Sequence, residues 1–253
     1  DTFCAEFYSQ DIILKAIATS SLSRNITIKG GVVMRSKTRN IRRATQDLDI
    51  DFIRLSLSNE AIDTFISKLN CLDGITLKRY GEIEELKQQD YKGKRVFIQL
   101  QDDAGNMIVN KLDIGVHTHL NLEQEEYCFD IAFDEEGASV LINTNEQMFA
   151  EKLQSLLRLG TISTRYKDIF DMYYLSQHVD SYALCRCLDT CVFSDSRMRE
   201  NNLQEILARL EFTFQNKNYL KRVDRAKTKW IDLEIDTVVE GIKSALEKCK
   251  QIE

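Results

Sequence analysis

The stretch Lys29–Phe52, KGGVVMRSKTRNIRRATQDLDIDF, narrows the possible folds more than any other part of the chain. It runs from a glycine pair through a basic segment to acids on alternate residues. Asp47, Asp49 and Asp51 alternate with Leu48, Ile50 and Phe52, and a strand sends alternate side chains to opposite faces. All three carboxylates therefore share one face while the apolar residues bury the other. Like charges side by side on a strand repel, and a bound divalent cation, which takes hard oxygen ligands, relieves that repulsion. On this strand alone, a solvated face carrying three acids is an equal alternative.

An EF-hand is excluded, because an Asp-x-Asp-x-Asp loop needs glycine and glutamate where Phe52 and Ser58 stand. The glycine pair favours the metal reading. Gly30 and Gly31 follow the apolar-alternating Ile26, Thr27 and Ile28, and glycines closing a strand let backbone N–H groups approach a phosphate. A phosphate cradle followed by a carboxylate strand is a combination that phosphoryl chemistry uses.

A second candidate acid lies further on. Arg95–Leu100 and Met107–Val116 read as a hairpin around the turn Asp102–Asn106, and Ile75–Arg79 as a strand before it. In MIVNKLDIGV, Ile108, Leu112, Ile114 and Val116 share one face, Lys111 and Asp113 the other. An acid on a strand among apolar neighbours is paired or binds metal, and pairing with Lys111 is the structural alternative. His117 and His119 follow; one or both are within reach of a metal, but exposure at a strand end is the simpler reading of both. Tyr127–Phe133 reads as a further strand before an acidic loop at Asp134–Gly137.

Composition bounds the rest. The 253 residues suffice for one large or two small domains. No run approaches the length of an apolar membrane span. Seven scattered cysteines without a C-x-x-C pair point to reduced thiols in a cytoplasm, with the Cys185, Cys187 and Cys191 group as core thiols rather than a zinc site. A net charge of −6 disfavours a general nucleic-acid coat. Two basic clusters run against that total, one between the glycines and the acids and one over Lys217–Lys229; a solvated face explains either, and an RNA contact is an equal reading of the second.

The periodicity places helices over residues 6–22 and Ser58–Leu72, and a boundary near residue 143. Beyond it the pattern is helical. Thr144 to Gln147 is a capping box opening a helix that Gly160 ends. A helix over Ser163–His178 spaces Arg165 with Asp168 and Lys167 with Asp171 for surface ion pairs. Amphipathic stretches over Asn202–Phe214 and Trp230–Cys249 complete a bundle.

The strand, the glycine pair and the run Arg43, Thr45, Asp47, Asp49 together resemble the AbiEii-type nucleotidyltransferases, abortive-infection and toxin proteins of the polymerase-beta-like superfamily. The segment FAEKLQSLLRLGTISTRYKDIFDMYYL is similar to that family's second motif, with Ala150, Glu151, Lys152, Arg158, Arg165, Lys167, Asp168 and Asp171 at matching positions. The resemblance implies an α+β fold: a nucleotidyltransferase domain over residues 1–143, built on a mixed sheet with flanking helices, then a helical domain over 144–253 that completes the active site. It places the third carboxylate at Asp113, implies nucleotide binding by Gly30, Gly31, Arg43, Thr45 and Lys152, and gives Asp168 a part in activity, Asp171 being second choice. One departure is Val32, where many members carry Thr or Ser.

The implied activity is transfer of NMP from an NTP to an acceptor hydroxyl, with Mg²⁺ or Mn²⁺ held by Asp47, Asp49 and Asp113. The implied partners are a nucleoside triphosphate, an RNA acceptor, a tRNA end first, and a cognate antitoxin, in the cytoplasm and away from membranes. Two alternatives remain: a binding module that has lost its chemistry, and a kinase-like phosphotransferase.

Overall fold

The computed structural model describes residues 2–88 and 91–249. The chain divides after Asn143 into two compact units.

The first unit orders its elements as α1 (Thr2–Thr19), β1 (Ile26–Lys29), α2 (Gly31–Thr38), β2 (Leu48–Phe52), α3 (Asn59–Lys68), β3 (Ile75–Gln88), β4 (Tyr91–Asp102), β5 (Met107–Val116), β6 (Gln124–Ile131) and β7 (Asp134–Asn143). The strands form one mixed sheet in the order β3-β4-β5-β2-β1-β7-β6. β2 runs parallel to β5 and antiparallel to β1, and β1 runs parallel to β7. Alternation decides the two faces. Ile28, Ile50, Leu112 and Ile114 are fully buried on one of them, the face against which α1 and α3 lie. Ser9 of α1 accepts a hydrogen bond from Asn110 there, and Asp63 of α3 pairs with Arg79. Lys29, Asp49, Asp51, Lys111 and Asp113 stand on the other face, as the residue parity of β2 and β5 requires.

The elements depart from the sequence reading in three places. The acidic Asp134–Gly137 segment is not a loop but the start of β7, hairpinned onto β6, with Ile131 opposite Asp134. Lys15 of α1 makes this possible by pairing with Asp134 at 2.5 Å and donating to the Gly137 carbonyl at 3.0 Å. The strands β3 and β4 are also longer than their apolar cores, because the polar residues beyond Tyr80 continue the ladder after a bulge between Tyr80 and Glu84.

The third departure is the helix α2, which begins at the second glycine and carries Arg35 and Lys37 of the basic segment. Its Val32, Val33 and Met34 are buried, but eight residues are too few for a helical period to stand out. Its bases are absorbed locally: Arg35 lies 4.2 Å over the Phe7 ring and donates to Gln10, and Lys37 pairs with Glu125 at 2.5 Å. Burial lowers the Arg35 pKa, with Asp11 opposing the shift. Arg35 and Lys37 of the first basic cluster are therefore taken up by internal contacts, whereas Arg39 and Arg42 remain exposed.

The second unit is helical: α4 (Asn145–Leu159), α5 (Tyr166–Ser176), α6 (Ser181–Leu188), α7 (Leu203–Phe214), α8 (Lys217–Asp224) and α9 (Ile235–Cys249). The Thr144 hydroxyl accepts from the Gln147 N–H to cap α4, and Gly160 ends it at a φ of 53°. Leu153, Phe170, Leu184, Leu188, Val238 and Leu246 lie in its core. Cys187 and Cys191 are buried thiols of that core. Among the described residues no helix is long and apolar enough to cross a membrane.

Candidate active-site residues

The polar face of the sheet aligns charge in a single row. In register across five strands stand Lys29, Asp49, Asp113, Arg95 and Glu84. Asp49 and Asp113 are direct neighbours on the parallel pair β2 and β5, on strands about 4.8 Å apart. Two carboxylates at that spacing repel, and each has cationic support to one side. Arg95 donates from Nε and Nη2 to the two oxygens of Asp113, both at 2.8 Å. Lys111 does not pair with Asp113; it pairs with Asp47 at 2.5 Å. Lys29 reaches Asp51 at 2.7 Å, so Asp51, only 4% exposed, is a buried ion-pair partner rather than a solvated acid.

The glycine pair is fitted to this row. Gly30 has φ 71°, a region that side chains disfavour, and a Cβ there would fall onto the Asp49 carboxylate. At Gly31 a Cβ would lie 2.5 Å from the Thr45 hydroxyl oxygen and 2.6 Å from its Cβ. The glycines therefore let the first turn of α2 sit directly against Asp49 and Thr45. Gln10 holds the same loop from the far side by donating to the carbonyls of Thr45 and Gln46. Val32 is fully buried, so the side chain at that position faces the core and not a ligand.

Other candidates are placed differently from the sequence reading. Arg43 is 2% exposed, on a turn whose Asn40 side chain accepts from the Arg42 N–H; its guanidinium is an internal group. His117 is buried rather than exposed, with Nε2 2.9 Å from the Gln124 amide nitrogen and 3.0 Å from the His119 carbonyl.

In the helical unit, Lys152 of α4 donates to Asp168 at 2.8 Å and lies 3.0 Å from Asp171, both on α5. Asp171 is fully buried and also accepts from the Trp230 indole at 3.0 Å. The expected Lys167–Asp171 surface pair is replaced by this buried contact. The expected Arg165–Asp168 pair forms at 3.8 Å. The cluster is an ammonium fixed by two carboxylates, one of them anchored from behind.

Sequence reasoning missed Lys29, Arg95 and Trp230. Only Lys29 had a signal, in its parity with Thr27 and its place beside the glycines. The partnership of Arg95 with Asp113 depends on hairpin register, and that of Trp230 on the segment between α8 and α9 reaching Asp171 of α5.

Among the described residues no three His, Cys, Asp or Glu side chains gather as a ready ligand set. The donor chemistry nevertheless fits a hard divalent cation: two carboxylates are neighbours in register, and glycine keeps the space beside Asp49 clear.

Comparison with known families gives one decisive match. The family described as Nucleotidyl transferase AbiEii toxin, Type IV TA system, matches residues 12–240. The chain belongs to this family. None of the curated proteins matches it. Among solved structures, an antigenic nucleotidyltransferase-like protein from Paracoccidioides brasiliensis is similar, with a TM-score of 0.47 and 16% identity over 86% of this chain and 93% of that one. In this AbiEii-family chain the match spans the glycine pair, the Asp49–Asp113 row and the Lys152 cluster alike.

Proposed function

We propose that the chain is a divalent-cation-dependent nucleotidyltransferase that moves NMP from an NTP to a hydroxyl of an RNA acceptor, a tRNA end first. On this reading it is the toxin of a toxin–antitoxin pair and is countered by a cognate antitoxin in the cytoplasm. The observation that carries the reading is the pairing of Asp49 with Asp113 beside the glycine start of α2.

Asp49 and Asp113, with Asp47 as a further oxygen donor, would hold Mg²⁺ or Mn²⁺. A bound ion there supplies charge stabilisation on the transferring phosphoryl group and its leaving oxygen. The chain's own groups divide the remaining work. Backbone N–H groups at the first turn of α2, uncrowded by side chains at Gly30 and Gly31, donate to phosphate oxygens. Asp113, oriented by the two-point grip of Arg95, accepts the proton of the attacking hydroxyl. The acceptor oxygen bonds to the α-phosphorus as the bond to the bridging oxygen breaks, and pyrophosphate leaves. Lys152, fixed by Asp168, is assigned to nucleotide phosphates. Thr45 and the internal Arg43 belong to the segment that carries Asp47 and leads into β2 with Asp49, acting on the nucleotide through it.

The test is label transfer to total RNA from each NTP carrying its label on the α-phosphate, with Mg²⁺ or Mn²⁺. Asp49→Asn is expected to abolish it. Transfer that persists in Asp49→Asn refutes the assignment of these acids. Transfer of a γ-phosphate label instead, with NDP as product, identifies a phosphotransferase. Tight antitoxin binding with neither transfer identifies a module without chemistry.

A further inference from the structure

The carboxylate face of the sheet does not end at the Asp49–Asp113 row. Below it, on β3, β4 and β5, three further cross-strand rows share that face: Tyr80, Phe97 and Lys111; then Lys78, Gln99 and Val109; then Thr76, Gln101 and Met107. Successive rows on a strand are two residues, or about 6.8 Å, apart, so the row of Tyr80, Phe97 and Lys111 lies one step from the row of Asp113, with Phe97 one strand and Tyr80 two strands to its side. The helices α1 and α3 pack on the opposite face. Tyr80 is 55% exposed, Val109 44% and Met107 62%, and Lys78 is exposed.

Two properties set these rows apart from an ordinary solvated sheet. They contain no carboxylate, although the chain carries a net charge of −6, and of their two lysines Lys111 pairs with Asp47 at the carboxylate end while Lys78 is exposed. They also present an aromatic ring and a thioether where a solvated strand carries polar groups, with Gln99 donating to the Met107 sulfur. A sheet surface with exposed rings, an exposed ammonium group and no acid of its own complements a single-stranded polynucleotide, whose bases stack on aromatics while its phosphates meet cations.

We propose that this face of β3, β4 and β5 is the platform for the acceptor strand. The last nucleotides of a single-stranded RNA lie across Tyr80 and Lys78, and the terminal 3′-hydroxyl reaches Asp113. Tyr80 is then a positioning residue that contacts the acceptor away from the reacting atoms. The inference rests on the proposed nucleotidyl transfer and adds where the acceptor is held. An acid-free platform ending at the carboxylates also accounts for the exposed apolar residues on this wing of an otherwise polar sheet.

The experiment uses the full chain, no NTP, and a short single-stranded RNA labelled at its 5′ end with a free 3′-hydroxyl, its binding followed by fluorescence anisotropy over a range of salt. Tyr80→Ala is expected to lose roughly 5- to 150-fold in affinity, the range of one lost base–aromatic stack. Tyr80→Phe keeps the ring and should bind as the parent does. Lys78→Ala should reduce the magnitude of the salt slope by about 0.7. Tyr182→Ala, which removes an exposed ring from the helical unit, should change nothing. RNA affinity that is absent from the parent chain, or equal in the parent and Tyr80→Ala, overturns the platform, as does a self-association that Tyr80→Ala dissolves. Label transfer is measured in parallel: Asp49-dependent transfer with Tyr80-insensitive RNA affinity refutes the platform alone, whereas absence of any transfer refutes the enzyme.

Discussion

Gly31→Ala isolates the glycine pair from the rest of the site. The added Cβ would stand 2.5 Å from the Thr45 hydroxyl oxygen, 2.6 Å from its Cβ and 2.8 Å from its Cγ2. Carbon contacts are favourable near 3.5–4.0 Å, so all three atoms are about 1 Å too close. Thr45 cannot turn aside easily: it is β-branched, and its backbone carbonyl is held by Gln10. The first turn of α2 must therefore shift. Overpacking of this kind costs about 1–3 kcal/mol, and the helix preference of alanine over glycine offsets part of it. A net loss of about 1–2 kcal/mol lowers Tm by roughly 2–8 °C in a chain of this size. Transfer activity should fall further than stability, because a displacement of about 1 Å at a phosphate cradle can cost about 100-fold. Thr45→Gly removes all three obstructing atoms, so the double variant should lose less stability than the two single losses added together. Thermal unfolding followed by circular dichroism measures all four proteins. Strict additivity, or an unchanged Tm in Gly31→Ala, refutes the close packing of Gly31 on Thr45.

Two further outcomes follow from the pairings. Arg95→Met leaves the nearly buried Asp113 without the guanidinium that meets both its oxygens; allowing for the 26% exposure of the Arg95 side chain, the loss should be about 2–4 kcal/mol by urea unfolding, and Asp113→Asn in the same chain should recover part of it. Burial pushes the Cys187 thiol up to about 12 and raises that of Cys191 as well. Both thiols thus stay neutral in the fold where an unfolded thiol ionises. Their stabilising contribution is complete below about pH 9 and is lost as pH rises toward the folded value. In a thiol titration at pH 8 the exposed Cys71 and Cys128 should react before unfolding and Cys187 and Cys191 only with it; early reaction of Cys187 contradicts its burial.

What the sequence disclosed divides along physical lines. Helix starts fixed by a side chain closing on its own backbone were legible, as at Ser58 and Thr144, because capping chemistry is local. So was the two-residue alternation of β2, which decided the face its acids occupy. The eight-residue α2 was not legible, because its basic residues are satisfied by Phe7, Gln10 and Glu125, partners that no local window contains. The start of β7 looked like a loop because its acids carry no mark of the lysine that neutralises them. Long-range pairing was least accessible. Asp113 was placed beside Asp49 by family resemblance, and nothing in either strand encodes that they run parallel and in register. The register also shows why the glycines and the acids belong together. Gly30 precedes α2 at a positive φ, and Asp49 occupies the space a side chain there would need, so the two ends of Lys29–Phe52 are one packed contact rather than two adjacent motifs. A change at either end must disturb the other.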